Sequence, residues 1–373
     1  MASPLAYLDS ASSEPLHPAA RDVLLAAYER GYADPRRLHG PGRDARLLLD
    51  NAREVVAATL GVRRDEVTFT SSGTEAVHRG LLGLAAARTR HGRMIVHTAV
   101  EHQSVFHAAH WWGEPSVVAV DHQGVVTPER LRRRLDGAAV AAVQSANHEV
   151  GTCQPVDDLD LDGVPLFVDA CASMGRLPLP QQWSALAGSA HKWGGPAGIG
   201  VLLVRKGASW ESPFPGDDRI DERSSGFENV PAALAAAAAL QAVVADQAET
   251  VRRQRDLIDT IRSTVGTWEG VEVLGDPIDR LPHLVTLAFE RLDGEPIVTA
   301  LDREGLGVAS GSACAASTLE PSQVVSALGA LDALTHGNLR LSLTRDTTAA
   351  DVDRLLAALP RIVADLRGSV ASQ

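Results

Sequence analysis

Apolar and polar residues alternate along the first two thirds of the chain in a pattern typical of strands and helices that follow one another. From about residue 50, amphipathic stretches such as 50–60 and 74–88 predict helices. Short apolar runs predict strands at 67–70, 94–97, 116–120, 140–143, 166–168 and 199–204. This alternation predicts a mostly parallel sheet with helices on both faces. Ligands bind such sheets at the carboxyl ends of the strands, where Asp169 and the turn after Thr70 lie.

The pattern changes after about residue 250. A long predicted helix at 249–264 precedes strands and helices in mixed order. The further predicted elements are strands at 271–274, 284–289 and 339–343 and helices at 296–304, 321–328 and from 348 onward. The sequence therefore predicts a smaller α+β domain in the last third of the chain.

Composition and charge disfavour a nucleic-acid-binding, membrane-spanning or secreted protein. The chain has 373 residues, 45% of them hydrophobic, and a net charge of −12, which disfavours general binding to nucleic acid. No uninterrupted apolar stretch approaches about 20 residues, and the start lacks a basic region followed by an apolar core, so we predict neither a membrane span nor a signal peptide. Three cysteines, Cys153, Cys171 and Cys314, provide no disulfide framework and favour a reducing cytoplasm.

Lys192 and Asp169 are candidates for a pyridoxal phosphate (PLP) site. Lys192 follows the small residues Ser189 and Ala190, 23 residues after Asp169, which ends a strand-like run. A PLP enzyme needs a lysine that binds the cofactor aldehyde and a carboxylate that keeps the pyridine nitrogen protonated. A solvated surface lysine is the alternative for Lys192 alone.

Two further segments suit a phosphorylated cofactor. The turn 70–75, with Gly73 and Thr74, joins a strand to a helix, whose N-terminus attracts anions; an ordinary capping turn is the alternative. Ser189 and His191 approach this cradle from the lysine loop. His102 follows a strand, where it could stack on a cofactor ring and move protons. No carboxylate or cysteine spacing completes a metal site around it, so we predict no metal.

Cys314 and Arg340 are the remaining candidates. Cys314 lies among glycine, serine and alanine, which favours an accessible, nucleophilic thiol over a buried one. By contrast, Cys153 and Cys171 are predicted to pack as small residues. Arg340 lies within an apolar strand pattern, which indicates either a fork for a substrate carboxylate or a structural ion pair.

Taken in order, the motifs resemble the long-loop cysteine desulfurases of the PLP-dependent class V aminotransferase superfamily. The strongest match is Ser310-Gly311-Ser312-Ala313-Cys314, followed by Leu319-Glu320-Pro321-Ser322. The other matching motifs are Tyr7-Leu8-Asp9, Leu38-His39, Phe69-Thr70-Ser71, Glu101-His102, Asn147-His148-Glu149-Val150-Gly151, Asp169-Ala170 and Ser189-Ala190-His191-Lys192. They cover nearly the whole chain in the family order.

The resemblance implies fold, chemistry and partners. It implies PLP fold type I, with a mostly parallel seven-stranded sheet in a large domain, 13–250, and a smaller domain, 1–12 and 251–373, that carries the cysteine loop. It implies conversion of L-cysteine to L-alanine, with Lys192, Cys314 and His102 as catalytic residues and a persulfide on Cys314 that passes to an acceptor protein. The implied acceptors are an iron–sulfur scaffold, a tRNA-thiolation enzyme or a sulfur carrier, and the implied assembly is a homodimer.

Residue roles follow from the same resemblance. His102 stacks on the PLP ring and Asp169 holds its nitrogen. Arg340 and Asn147 contact the substrate. The residues implied to hold PLP are Gly73, Thr74, His102, His148, Asp169, Ser189, His191 and Lys192.

Several positions depart from the family pattern. Ala172 stands where a glutamine is usual, His148 where an asparagine is usual, and Phe227 where a threonine is expected. His148 could replace a lost hydrogen bond to the cofactor ring oxygen. Another PLP reaction on an amino acid (a selenocysteine lyase, a β-lyase or an aminotransferase) and a non-catalytic scaffold are the alternative functions.

Overall fold

A seven-stranded sheet forms the centre of the larger part of the fold. The computed structural model describes residues 5–216, 221–310, 322–330, 334 and 336–371. The sheet strands are β2 (Val67–Thr70), β3 (Met94–Thr98), β4 (Ser116–Val118), β5 (Ala138–Gln144), β6 (Leu166–Asp169), β7 (Ala185–Ser189) and β8 (Gly200–Val204), in the order β2-β8-β7-β6-β5-β3-β4. Only β8 runs antiparallel to its neighbours among these strands, so the predicted mostly parallel sheet is confirmed.

Helices cover the sheet. They are α1 (Pro18–Arg30), α2 (Gly40–Leu60), α3 (Gly73–Ala86), α4 (Gln103–Trp112), α5 (Pro128–Arg132) and α6 (Val230–Ala245). The alanine-rich stretch 232–240 lies within α6, whose small side chains let α1 and α2 pack closely against it. Phe167 of β6 is fully buried, a burial that contributes about 1.5–3 kcal/mol.

A four-stranded antiparallel sheet lies in the last third of the chain. Its order is β12 (Ala309–Ser310), β13 (Asn338–Ser342), β10 (Leu284–Phe289) and β9 (Val271–Leu274). The described residues of this part form the helices α7 (Gln247–Val265), α8 (Gly294–Arg303), α9 (Gln323–Ala327) and α10 (Ala349–Ala371). The predicted boundaries of all four differ from these by a few residues.

The start of the chain joins this last third. The short strand β1 (Ala6–Tyr7) pairs in parallel with β11 (Leu306–Gly307), and Ala6 and Leu8 share an apolar core with α7, α8, β10, β13 and α10. Asp9 forms a bridge to Ser342. The N-terminal residues therefore lie beside the C-terminal sheet. The domain boundaries, 13–250 against 1–12 and 251–373, stay a prediction.

Sequence patterns missed the helix α1, the strand β7 and the two-residue strands β1, β11 and β12. Of these, β7 is the strand that leads directly into Lys192. The run Ala185-Leu186-Ala187-Gly188-Ser189 has two alanines and a glycine, which are weak strand formers. Its position between β6 and β8 in the sheet decides its conformation.

Candidate active site

A cavity of about 290 Å³ lies at the carboxyl edge of the large sheet. It collects side chains from β6, the lysine loop, the starts of α3 and α4, the N-terminal segment and β13. The predicted residues on its lining are Gly73, Thr74, His102, His148, Asp169, Ser189, His191, Lys192 and Arg340. Two predicted residues are not on this lining: Asn147, which lies behind it, and Cys314, which falls outside the described residues.

Lys192 is held by a short helical turn. The 3₁₀ turn Ala190–Trp193 follows β7 directly and ends at Gly194, whose φ of 82° is easily adopted only by glycine. Trp193 is buried, and its Nε1 donates to the Ala236 carbonyl oxygen at 3.1 Å. The Lys192 ammonium donates to the Ala11 carbonyl oxygen. The anchored turn therefore directs the Lys192 amine to the cavity.

Asp169 occupies the carboxyl end of a central strand. Its Oδ1 accepts a hydrogen bond of 2.9 Å from the Cys171 backbone N–H. Cys171 also lines the cavity, and burial, followed by the negative charge of Asp169, raises the pKa of its thiol well above the ordinary value. Cys171 therefore remains a protonated, packed thiol beside the carboxylate.

The cradle at the start of α3 is tight. Ser72 caps the helix by accepting from Glu75 N–H at 3.0 Å, and Glu75 in turn accepts from Ser71. A Cβ at Gly73 would lie 2.6 Å from the Ser189 Cβ, so the close approach of these two segments requires glycine. First-turn amide groups have no intrahelical acceptor, and they carry the positive end of the helix dipole. The cradle suits a phosphate group.

Three histidines surround the cavity in neutral form. Burial lowers the pKa of His102, lowers that of His148 far below its ordinary value, and lowers that of His191 to about 4. The His102 and His148 rings meet edge to face, with centroids 5.1 Å apart. A neutral His191 can contribute a hydrogen bond to a phosphate but no charge, and a neutral His102 can accept a proton.

Asn147 supports the cavity wall from behind. Its Nδ2 donates to the Val100 carbonyl oxygen at 3.0 Å, and its Oδ1 accepts from the N–H groups of Glu149 and Val150 at 2.8 Å. All of these contacts are to backbone groups. The Asn147 side chain thus fixes the turn that presents His148, and its contact with the substrate stays a prediction.

Arg340 has several partners. One guanidinium nitrogen contacts Asp9 at 2.9 Å and Ser12 Oγ at 2.6 Å, and another donates to the His148 carbonyl oxygen at 3.1 Å. Its buried Nε has no hydrogen-bond partner within the described part of the chain. The structure therefore shows the ion pair that the sequence left open, while Arg340 also lines the cavity.

These groups fit PLP chemically. A lysine amine, a carboxylate at a strand end, a glycine cradle at a helix N-terminus and a flat histidine ring line one space. Glycine at position 73 lets this helix start and Ser189 meet on the cavity wall, where a larger residue would clash. Lys192, Asp169 and the Gly73–Thr74 cradle would hold the aldehyde, nitrogen and phosphate ends of PLP, respectively.

Sequence reasoning missed part of the lining. Ala11, Ser12, Ser104 and Gln144 also contact the cavity. Gln144 was detectable, because it ends a predicted strand at the same sheet edge as Asp169. Ser12 carries no local signal, since it reaches the cavity only through the pairing of the N-terminal segment with the last third of the chain.

In the described residues, no single helix is both long and apolar enough to span a membrane. One bent pair, Val230–Ala245 with Gln247–Val265, meets the length and composition criteria, with a bend of 70°.

Comparison with known proteins agrees with the geometry. The family model described as Aminotransferase class-V matches residues 6–355. An IscS-like cysteine desulfurase from Mycobacterium tuberculosis is 35% identical, covering 97% of each chain. The cysteine desulfurase IscS of Dictyoglomus turgidum is 31% identical over 97% of this chain and 95% of that protein.

A solved structure described as a NifS-like protein superposes with a TM-score of 0.89. It is 26% identical and covers 97% of this chain and 100% of its own. The superposition confirms the predicted α/β fold type. The chain therefore belongs to the class V aminotransferase family, and within that family to the cysteine desulfurases.

Proposed function

We propose that this protein is a PLP-dependent cysteine desulfurase that converts L-cysteine to L-alanine and passes the sulfur through Cys314 to an acceptor protein. The observation that carries the proposal is the single cavity lined by Lys192, Asp169, His102 and the Gly73–Thr74 cradle. The cysteine desulfurases that match nearly the whole chain support the same reaction.

When bound, PLP supplies an electron-withdrawing ring that stabilises negative charge developing on the substrate. Asp169 would keep the ring nitrogen protonated, and the Gly73–Thr74 cradle would hold the phosphate. The Lys192 amine would hold the aldehyde end and, when free, would serve as the base for the proton on the substrate Cα. His102, kept neutral by burial, accepts a proton within the cavity. Arg340 holds the substrate carboxylate, which would then compete with Asp9 for the guanidinium.

Sulfur transfer needs a thiolate, which we assign to Cys314. Its sulfur attacks the sulfur of the substrate, so that an S–S bond forms and the substrate Cβ–S bond breaks. The electron pair of the broken bond remains on Cβ, which takes up the proton lost by the Cys314 thiol. Cysteine and a thiol thus become alanine and a persulfide, with no external oxidant or reductant. Cys171 does not share this role, because burial and Asp169 keep its thiol protonated.

Alanine production from L-cysteine tests the proposal. The assay contains PLP and a thiol reductant and compares the wild type with Cys314→Ala. Cys153→Ala is the matched control, because Cys153 packs against an apolar cluster off the cavity and burial raises its pKa to about 12. We expect alanine from the wild type and the control, and almost none from Cys314→Ala. Equal alanine from all three would remove Cys314 from the mechanism, and none from any would contradict desulfuration.

The acceptor and assembly are part of the same proposal. We assign the persulfide to a protein acceptor, such as an iron–sulfur scaffold, a tRNA-thiolation enzyme or a sulfur carrier, in a reducing cytoplasm that suits the free thiols of Cys153 and Cys171. Exposed apolar side chains in and after α1 support a homodimer, since such surfaces usually pack against a partner. They are Leu25, Tyr28, Tyr32, Leu38 and Leu47, each at least 59% exposed. Light scattering of the purified protein measures its mass.

A further inference from the structure

The helix α9 packs where its place in the chain does not suggest. It follows β12 of the smaller sheet, yet its buried side chains share an apolar core with strands of the large sheet. These side chains are Val324 and Val325. The chain between Ser310 and Ser322, which contains Cys314, therefore connects the smaller sheet to the core of the large one.

Ser322 precedes α9 and makes two contacts through one hydroxyl group. Its Oγ accepts from the Val325 N–H at 3.2 Å, which caps the helix, and its hydroxyl hydrogen is donated to Oε2 of Glu149. Both side chains are buried, with 4% of Ser322 and 8% of Glu149 exposed. Hydrogen bonds to a carboxylate are stronger than neutral ones, and burial strengthens them further, so this contact stabilises the position of the helix start.

Glu149 is itself held by backbone contacts. Its N–H donates to Asn147 Oδ1 at 2.8 Å, and its carbonyl oxygen accepts from Thr286 Oγ1 of β10 at 2.7 Å. The residue before it, His148, lines the active-site cavity. The Glu149 carboxyl group therefore joins a fixed turn of the cavity wall to the start of α9.

A second contact joins α9 to the turn that carries the other cavity histidine. Gln103, the first residue of α4, donates from its Nε2 to Oε1 of Gln323 at 2.8 Å. Gln103 directly follows His102, which lines the cavity. This contact is exposed, so it contributes less than the buried one. The turns that carry His102 and His148 thus both contact the start of α9.

We propose that Glu149 is a positioning residue for sulfur transfer, which acts by holding Ser322, and with it one end of the segment that contains Cys314, beside the turn of His148. The inference rests on the proposed function, because it assigns this contact to the step in which Cys314 takes up sulfur. Proton transfer at the substrate Cα does not depend on it, since the turn that carries Lys192 is anchored separately, through Trp193.

Two measurements on the full-length, PLP-loaded protein separate these steps. Exchange of the Cα hydrogen of L-alanine with solvent deuterium, followed by NMR, requires the cofactor and a base but no sulfur transfer. Persulfide formation on Cys314 in a single turnover with L-cysteine, followed by mass spectrometry of quenched samples, measures sulfur transfer.

The variants remove or keep the Glu149–Ser322 hydrogen bond. Glu149→Leu removes the acceptor and leaves the cap of α9 in place, and Ser322→Gly removes the donor at little cost to capping. Glu149→Gln keeps an acceptor oxygen, and Ser322→Thr keeps the hydroxyl group. Thr68→Val is the matched control, because Thr68 is also a buried hydroxyl that donates to a carboxylate, that of Asp221 at 2.8 Å, and lies off the cavity lining.

We expect Glu149→Leu and Ser322→Gly each to slow persulfide formation about tenfold, as the loss of a hydrogen bond to a charged group implies, while Cα exchange keeps the wild-type rate. The double variant should be no slower than either single one, because both remove the same contact. Glu149→Gln, Ser322→Thr and Thr68→Val should stay within about twofold of the wild type.

Unchanged persulfide formation in a folded Glu149→Leu protein overturns the positioning role. An equal loss of Cα exchange also overturns it, because the effect would then lie on the cofactor. If Glu149→Leu does not fold, Ser322→Gly decides by the same two rates. Failure of the wild type to form alanine from L-cysteine contradicts the proposed function instead.

Discussion

Glu101 is a buried carboxyl group whose protonation makes the stability of the protein depend on pH. Its Oε1 accepts from Thr98 Oγ at 2.6 Å and from Gln144 N–H at 3.0 Å, and its buried Oε2 has no partner among the described residues. Burial raises the pKa of Glu101 from 4.5 to about 8, and the negative charge of Asp169 adds to the effect. The folded protein therefore holds a proton here that the unfolded chain releases.

This difference in pKa makes the protein less stable as the pH rises. Because the folded-state pKa is the higher one, the stabilisation is fully present below pH 4.5 and is lost as the pH rises through about 8. Each pH unit in this window removes about 1.4 kcal/mol from the free energy of unfolding. Between pH 6 and pH 8 the loss comes to about 2 kcal/mol, because half of the groups are still protonated at pH 8.

Glu101→Gln removes this titration with little change in shape. Between pH 6 and pH 8, we expect the free energy of unfolding of the wild type to fall because Glu101 ionises. The fall in the variant should be smaller by about 2 kcal/mol. Urea unfolding, followed by tryptophan fluorescence at constant PLP concentration, measures the difference. Any fixed cost of the amide cancels, because it is the same at both pH values.

Glu66→Gln is the control for this measurement. Glu66 is also buried, and both of its oxygens accept backbone N–H groups, from Arg63 at 2.9 Å and from Lys206 at 2.8 Å, so this variant measures the effect of replacing a buried, hydrogen-bonded glutamate with glutamine elsewhere in the fold. Identical slopes for the wild type and Glu101→Gln would refute the reasoning, since Glu101 would then be ionised in the folded protein throughout this range.

Three further substitutions probe the cavity. Asp169→Asn keeps the acceptor for Cys171 N–H but removes the negative charge that would face the PLP nitrogen. Because a charge-assisted hydrogen bond contributes about 1.5–3 kcal/mol, alanine production should fall at least tenfold. An unchanged kcat contradicts the role assigned to Asp169. Arg340→Lys loses the guanidinium fork and should raise the KM for cysteine about tenfold, whereas an unchanged KM would leave Arg340 as a structural partner of Asp9. Gly73→Ala places a Cβ 2.6 Å from Ser189 and should weaken PLP binding, measured by fluorescence titration, at least tenfold.

Much of the larger sheet was predictable because its strands are buried on both faces. Continuous apolar runs such as Leu166-Phe167-Val168 are stable only as strands covered on both faces. Turns of small residues after such strands indicate the carboxyl edge of the sheet, where ligands bind. The lysine and the aspartate at that edge were found for the same reason. By contrast, β7 has weak strand propensity, and its neighbours decide its conformation.

Contacts between distant segments were not predictable from local patterns. The pairing of Arg340 with Asp9 joins residues 331 positions apart, so the sequence left two roles open for the arginine. His283 Nδ1, which has no hydrogen-bond partner among the described residues, likewise gives no signal in Leu281-Pro282-His283-Leu284, a segment that resembles the start of an apolar strand. The hydrogen bonds of the Asn147 amide to backbone groups could not be predicted from its motif either.

The pairing of β1 with β11 has a consequence for biosynthesis. Ala11 and Ser12 lie on the wall of the active-site cavity, and the segment that carries them is held by strands that the ribosome makes almost last. A nascent chain can complete its large sheet while the first dozen residues still have nothing to pair with. The cavity wall therefore becomes complete only after β13 has been synthesised and has joined the segment that carries Ala11 and Ser12.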